Sequence, residues 1–367
     1  MNILRPKILW QAHESILSGA NSAMLEYVNA LAREFSFFII LPHTGTMQQE
    51  LAQRGIPYAV IHQYGWANQF SWWHIGKWVR VLLRSVVAVR QIRKLIIKER
   101  PAIVCTNTIV SFTASIAAML QNIPHVWWIH EFGKEDFGFT PGWGHEKISM
   151  WWMEQSSKLI IGNSQAINVK FKKLMPKASV QTIYQPVTWN ASLKIDSTKK
   201  AKFLMFGQII ASKGHKDVLK AMLVNKQQGK PLQELHIMGP CETESYLIEL
   251  QNIVEIYGLK PYVQLLPGYF NKEEVLPRYE VLIVASKAEA FGRVIVEASK
   301  AGLRVVVRNS GGASELVNEG NGLLFNNQTE LADVLCGDRA LPETAIYLNY
   351  DESQEIQNLT DLLYTAC

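Results

Sequence analysis

The sequence predicts an α/β protein made of two doubly wound, parallel-sheet domains in series. Short apolar runs alternate with longer amphipathic segments from end to end, the pattern of repeated βα units. A polar, aperiodic stretch, Gln185 to Lys200 (QPVTWNASLKIDSTKK), breaks the alternation once, and the alternation then restarts. The 367 residues also exceed what one core ordinarily serves.

In the first series the strands are expected at Lys7–Gln11, Phe37–Leu41, Tyr58–Ile61, Ile103–Thr106, His125–Ile129, Leu159–Gly162 and Val180–Tyr184. Each is an apolar run too short for a helix and bounded by polar or turn-forming residues. The gaps carry helical spacing; after Gly19, for instance, Ala23, Tyr27, Ala30 and Leu31 share one face. The second series places strands at Phe203–Phe206, Leu235–Met238, Val263–Leu265, Val281–Val284, Arg304–Val307 and Leu323–Phe325. This gives domains at 1–190 and 191–351, and a last helical segment within 352–367 that packs on one or the other. Open parallel sheets take ligands outside the carboxyl ends of their strands, so a cleft between the two domains is the expected ligand site.

Composition removes several classes. An apolar fraction of 48% with 23 Gly and 14 Pro is that of a globular chain. Cys105, Cys241, Cys336 and Cys367 lack CxxC spacing, so neither a disulfide framework nor a zinc site is expected, and a reducing, cytoplasmic setting is the default. No signal-peptide pattern opens the chain, and no run of about 18 apolar residues predicts a membrane span.

The net charge of +5 conceals a division. Residues 1–190 hold 19 Lys/Arg against 10 Asp/Glu and all eleven tryptophans, while the remainder is acidic. Within Phe70–Arg100, the basic residues Lys77, Arg80, Arg84, Arg90, Arg93, Lys94, Lys98 and Arg100 face the single acid Glu99, with Trp72, Trp73 and Trp78 at the start. That composition suits a helix lying on an anionic membrane surface, peripheral on the cytoplasmic leaflet. It also suits a domain helix with a buried apolar face and solvated charges. No nucleic-acid-binding module accompanies the charge, so nucleic acid is not an expected partner.

The sharpest local signal is Ala285–Ala298, ASKAEAFGRVIVEA. A strand (VLIVA) ends there and a helix begins near Phe291, with Glu289 in the loop and Glu297 about two turns into the helix. Such a loop opens onto helix-terminal N–H groups, here those of Phe291, Gly292 and Arg293, which favour a phosphate. Gly292 leaves room for close backbone approach, and Glu297 is placed to accept hydrogen bonds from a diol such as ribose. A capped helix with two solvated glutamates is the plainer alternative. His13 and Glu14, beside the first strand, are candidate acceptor contacts. GxGxxG after the first strand, GxxxxGK[ST], GxSxG and HExxH are all missing from the sequence.

Taken with FGQIIASKGH, HIMGP and SGGASELV, the Glu289/Glu297 pattern resembles the retaining GT-B glycosyltransferases of the family-4 (glycosyl transferases group 1) type. Weaker echoes are SGANSAML at Gly19, PAIVCTN at Pro101–Asn107, WWIHE at His130 and IIGNSQA at Ser164. The resemblance implies two Rossmann-like domains facing across a cleft, with a nucleotide-sugar donor in the C-terminal domain, an acceptor in the N-terminal domain, and neither metal nor cofactor. Carried over, Glu289 touches the donor sugar's hydroxyls, Glu297 touches the ribose, and Lys213 neutralises the diphosphate. Gly239 lies in the donor site, His130 hydrogen-bonds the donor sugar, and Gly19 admits the diphosphate or the acceptor. Gln208 stands where the family commonly has an arginine, which puts half of the cationic clamp in doubt; Arg304 stands where it usually has a proline. The implied activity is transfer of a hexose, with retention, to a lipid-linked or oligosaccharide acceptor in bacterial surface polysaccharide synthesis. A sugar-nucleotide epimerase of the same architecture, or a non-catalytic binding subunit hinted at by Gln208, are the alternatives.

Overall fold

The computed structural model describes residues 5–67, 75–142, 145–189, 201–342 and 349–367, with backbone only for 75–78 and 201. Contacts divide the chain into two units, Met1–Pro186 with Asp351–Cys367, and Val187–Tyr350.

In the first unit the elements run β1 (Lys7–Gln11), α1 (Gly19–Leu31), β2 (Ser36–Leu41), α2 (Thr46–Gln53), β3 (Tyr58–Val60), α3 (Ile75–Glu99), β4 (Ile103–Asn107) and α4 (Thr113–Met119). They continue as β5 (His125–Ile129), α5 (Lys134–Phe137), α6 (Glu146–Ser156), β6 (Leu159–Gly162), α7 (Gln165–Leu174) and β7 (Val180–Thr182). The seven strands form one parallel sheet in the order β3-β2-β1-β4-β5-β6-β7. Helices cover both faces, so a central strand such as HVWWI is buried throughout and reads as a continuous apolar run. Trp10 and Trp128 stack at 4.6 Å and Tyr27 closes on Trp128 at 4.5 Å, filling the core on one side of the sheet. On the other side, Ala88, Val89, Ile92 and Ile96 of α3 pack over Leu9, Phe38, Ile40 and Val104.

The second unit holds β8 (Ala201–Phe206), α8 (His215–Gln227), β9 (Leu235–Gly239), α9 (Glu244–Ile256), β10 (Val263–Pro267) and α10 (Lys272–Val275). After these come β11 (Tyr279–Val284), α11 (Arg293–Lys300), β12 (Arg304–Arg308), β13 (Gly322–Phe325) and α12 (Gln328–Cys336). Its six strands are parallel in the order β10-β9-β8-β11-β12-β13. The last helix, α13 (Glu352–Ala366), returns to the first unit, where Leu359, Leu363 and Ala366 join the core beside Leu31 and Phe35. The amide of Tyr184 donates to Glu355 at 2.8 Å, fixing the start of that helix.

Three sequence expectations are corrected. The units part between Pro186 and Val187 instead of at 190, because the chain leaves the first sheet soon after β7. Most of the linker, 190–200, lies outside the described residues. The helix expected near Phe291 starts at Arg293, because Gly292 takes a left-handed φ of 89° that ends the loop and cannot continue a helix. Glu297 is accordingly about one turn into the helix, not two.

Candidate active site

In each sheet the strand order reverses next to its first strand, between β1 and β4 in one unit and between β8 and β11 in the other. At such a switch point the loops diverge to opposite faces and open a crevice at the carboxyl edge. The candidate residues cluster at these two places.

In the second unit, β11 runs out at Val284 and the chain loops through Glu289 to the amino end of α11. Two glycine turns shape this loop. An added Cβ on Gly311 would sit 2.6 Å from the Glu289 carbonyl, and Gly312 donates its amide to that carbonyl at 2.8 Å. A Cβ on Gly292 would come within 2.9 Å of Ile295 and 3.4 Å of Glu289 Cγ. The Gly311–Gly312 turn thus holds the backbone of Glu289, while Gly292 packs near its side chain. Its carboxylate accepts a 2.6 Å charge-assisted bond from Lys213 Nζ, which arrives on a single 3-10 turn, Ala211–Lys213, after β8. The next residue, Gly214, has a φ of 74° and packs so tightly on the Ala285 carbonyl that a Cβ would lie 2.2 Å away. Glu297 is buried on α11 and takes a 2.5 Å bond from Lys272 of α10, with the Arg293 guanidinium at 3.9 Å. A further cation, Arg308 at the end of β12, donates to the Ala285 carbonyl at 3.0 Å and to Asp217 at 2.6 Å.

In the first unit, His130 follows β5 and its ring is held on both nitrogens. Asn107 Oδ1, at the end of β4, lies 2.9 Å from Nε2, and Gln185 Nε2 lies 3.3 Å from Nδ1. An amide oxygen only accepts and an amide nitrogen only donates, so in this arrangement Nε2 is the donor of the ring and Nδ1 its acceptor. Asn107 is fixed in turn by donating to Ala20 O at 3.2 Å and Asn21 Oδ1 at 3.4 Å at the start of α1. Beside His130, Glu131 is buried; one carboxyl oxygen accepts from Ile109 N at 2.6 Å and the other from His130 N at 3.1 Å. Burial pushes its pKa up to about 8, against the lowering effect of those bonds. His13 and Glu14 pair with each other at 3.0 Å in the loop after β1. Burial raises the Glu14 pKa, but the bonds from His13 and Ser18 outweigh it and hold the carboxyl below its ordinary value.

The family model for glycosyl transferases group 1 matches residues 189–335, and that for Glycosyltransferase Family 4 matches residues 17–188. The chain belongs to the group 1 glycosyltransferases of GT-B fold. Among solved structures, this glycosyltransferase is similar to Anabaena HepE in complex with UDP and glucose, with a TM-score of 0.72 and 20% identity, covering 98% of this chain and 100% of that one. A Rickettsia africae glycosyltransferase gives a TM-score of 0.74 at 16% identity, covering 99% and 98%. The GPI3 subunit of the phosphatidylinositol N-acetylglucosaminyltransferase of Saccharomyces cerevisiae is 26% identical over 166 residues, 44% of this chain and 35% of the relative. A glycogen synthase of Mycobacterium tuberculosis is 25% identical over 236 residues, 60% of this chain and 55% of the relative. The glycosyltransferase chain therefore spans about a third to half the length of the curated relatives it matches.

Within this glycosyltransferase, Lys213, Glu289, Phe291, Gly292, Arg293 and Glu297 come together at the carboxyl edge of the second sheet, and Phe291 is buried with its ring edge-on to Tyr350 at 6.2 Å. Gly239 ends β9 in the same unit, and its small size has a packing cause: a Cβ would meet the Gly207 carbonyl at 1.8 Å. Gln208 is exposed just after Gly207, and Arg304 bonds Glu280 at 3.1 Å at the opposite, amino end of β12. Gly19 is the first residue of α1, after Ser18, whose hydroxyl caps the helix. His130 and Gly19 belong to the first unit. The sequence patterns assign no site role to Asn107, Gln185, Glu131, Lys272 or Arg308. Asn107 carried a usable signal, a polar residue closing an apolar strand inside a family-like stretch, whereas Lys272 meets Glu297 only through the fold. Among the described residues, Asp333, Cys336 and Asp338 are grouped closely enough for a metal, but Lys230 already sits 2.8 Å from Asp338 and 3.5 Å from Asp333.

Proposed function

We propose that this protein is a retaining glycosyltransferase that moves a hexose from a nucleotide-activated sugar to a lipid-linked or oligosaccharide acceptor, in bacterial surface polysaccharide synthesis, without a metal ion. The observation that carries the reading is the 2.6 Å pair of Lys213 with Glu289 at the amino end of α11. A departing nucleoside diphosphate gathers negative charge, which Lys213 and the first-turn N–H groups of α11 can balance where no metal does so. Sugar hydroxyls would take over the Glu289 carboxylate as the phosphate takes over the ammonium. Glu297, paired with Lys272 and flanked by Arg293, suits a ribose diol. UDP and glucose in the solved HepE complex support a nucleotide-sugar donor. Transfer on the same face of the sugar leaves the protein with positioning and charge stabilisation, the diphosphate itself taking the acceptor proton.

A lipid-linked acceptor is supported by α3. Val79, Leu82, Leu83, Val86 and Val87 recur at helical spacing with exposures from 41 to 62%, and Arg80, Arg84, Arg90 and Lys94 are exposed along the same helix. Apolar side chains flanked by cations suit the headgroup boundary of an anionic bilayer on the cytoplasmic side. Phe70, Trp72 and Trp73 lie outside the described residues, as do the side chains of Lys77 and Trp78. No described helix is long and apolar enough to cross a membrane.

Sugar nucleotides varied in base and sugar, screened by thermal shift, identify the donor, because a ligand of the folded state raises its melting temperature. Lys213→Ala is expected to abolish most of that shift and to lower kcat/KM about a hundredfold or more. Anomeric analysis of the product by NMR decides retention. Consumption of donor without added acceptor, giving a changed sugar nucleotide, would replace transfer by epimerisation.

A further inference from the structure

We propose that Glu131 is a positioning residue that locks His130 in its Nε2–H form by pinning the turn after β4. The proposal rests on the role given to His130 as a donor-sugar contact. Thr108, the first residue of that turn, has a φ of 68°, a left-handed conformation that a β-branched residue strongly disfavours. Its amide donates to the Trp128 carbonyl at 2.7 Å, which ties the turn to β5. Its hydroxyl accepts from Val110 N at 3.2 Å. The Ile109 amide donates to Glu131 Oε1 at 2.6 Å, and the Ile109 carbonyl accepts from Trp66 Nε1 at 2.5 Å. Glu131 Oε2 takes the His130 amide.

A single buried carboxyl therefore bridges the exits of two neighbouring strands. The residue just before Thr108 is Asn107, the acceptor that fixes the proton on His130 Nε2. If Thr108 relaxed to negative φ, the turn beside Asn107 would shift and its side-chain oxygen would leave the ring. An amide cannot replace the carboxyl, since it offers one acceptor to two N–H donors and leaves one of them buried and unpaired.

Two variants test this, Glu131→Gln and the double variant Glu131→Gln with Thr108→Gly. Glycine adopts a φ of 68° without steric cost, so the double variant has no need of the clamp. The readouts are the ring ¹⁵N shifts of His130, which need no activity, and kcat and KM measured separately. In Glu131→Gln the ring signals move as tautomers mix, kcat falls about a hundredfold and KM changes much less. Glycine at 108 restores both the ring signals and kcat. Wild-type ring shifts in Glu131→Gln, or a double variant that stays impaired, overturns the proposal. Should Glu131→Gln not fold, the double variant decides: wild-type His130 shifts in a folded protein support the clamp, and failure to fold refutes it. If the wild-type protein transfers no sugar, the ring signals still decide this question on their own.

Discussion

Burial moves His125 and Glu131 in opposite directions on the pH scale and toward the same uncharged state. His125, in contact with Thr106 at 2.8 Å through Nε2, is depressed from 6.5 to about 3 by burial. His215 falls to about 4, mainly through burial. Below pH 6.5 the unfolded chain binds protons that these native imidazoles refuse, so stability is lost as pH falls from 6.5 toward 3. Glu131 behaves oppositely: its native form keeps a proton up to about pH 8 that the unfolded chain releases near 4.5, so its contribution fades as pH rises across that window. Denaturation series at several pH values are expected to show His125→Gln flattening part of the acid limb, with His215 supplying the rest. Glu131→Gln is expected to flatten the alkaline one, and unchanged slopes in both variants would contradict these assignments. At this scale, legibility followed chain proximity. Glu289 and Glu297 stand in one short pattern with the loop that shapes them, and Lys213 and His130 each sit in a recognisable run. Gln185 reaches His130 from far along the chain, and nothing local marks it.

At the scale of elements, the loop before α11 works because backbone touches backbone. Gly311→Ala forces a Cβ into the Glu289 carbonyl at a positive φ, and we expect it to cost about 3 kcal/mol in denaturant unfolding, with kcat/KM falling further than the stability loss explains. Restoration of full activity in a folded Gly311→Ala protein would show that the position of Glu289 is not critical. For α3, the double change Leu82→Glu and Leu83→Glu places charge on side chains that are 62 and 61% exposed, so the melting temperature should stay within a degree or two. Co-sedimentation with anionic vesicles is expected to drop sharply, and equal recovery of both proteins would remove the membrane-surface reading. The strands were legible to within a residue or two, because strands covered on both faces read as short, continuous apolar runs. The start of α11 was not, since a glycine before a helix looks the same in sequence whether its φ is negative or, as in Gly292, 89°.

For the whole molecule, the two-unit plan followed from the single interruption in the βα rhythm, while the destination of the last helix did not. Its apolar stripe fits any open groove, and only the fold reveals that the groove belongs to the first unit. Truncation before Asp351 removes Leu359 and Leu363 from that core, together with the Phe35–Tyr364 ring contact at 4.8 Å and the Tyr364–Glu34 bond at 3.0 Å. Two leucines lost from a core cost about 5 kcal/mol, comparable with the whole stability of many domains. Of the eleven tryptophans, only Trp189 lies in the second unit, so indole fluorescence reports the first almost alone. Its melting transition should move down or vanish on truncation, while hydrogen exchange of β8–β13 stays as it was.

The same return of α13 has a consequence for biosynthesis. When residue 186 leaves the ribosome, the seven-stranded sheet is complete but the groove beside Leu31 and Phe35 is still bare. It remains so while residues 187–350 are translated, roughly ten to thirty seconds at about 5–20 residues per second. During that interval the nascent half presents an oily furrow to chaperones and to neighbouring polypeptides, and it is sealed only once the final helix has been made.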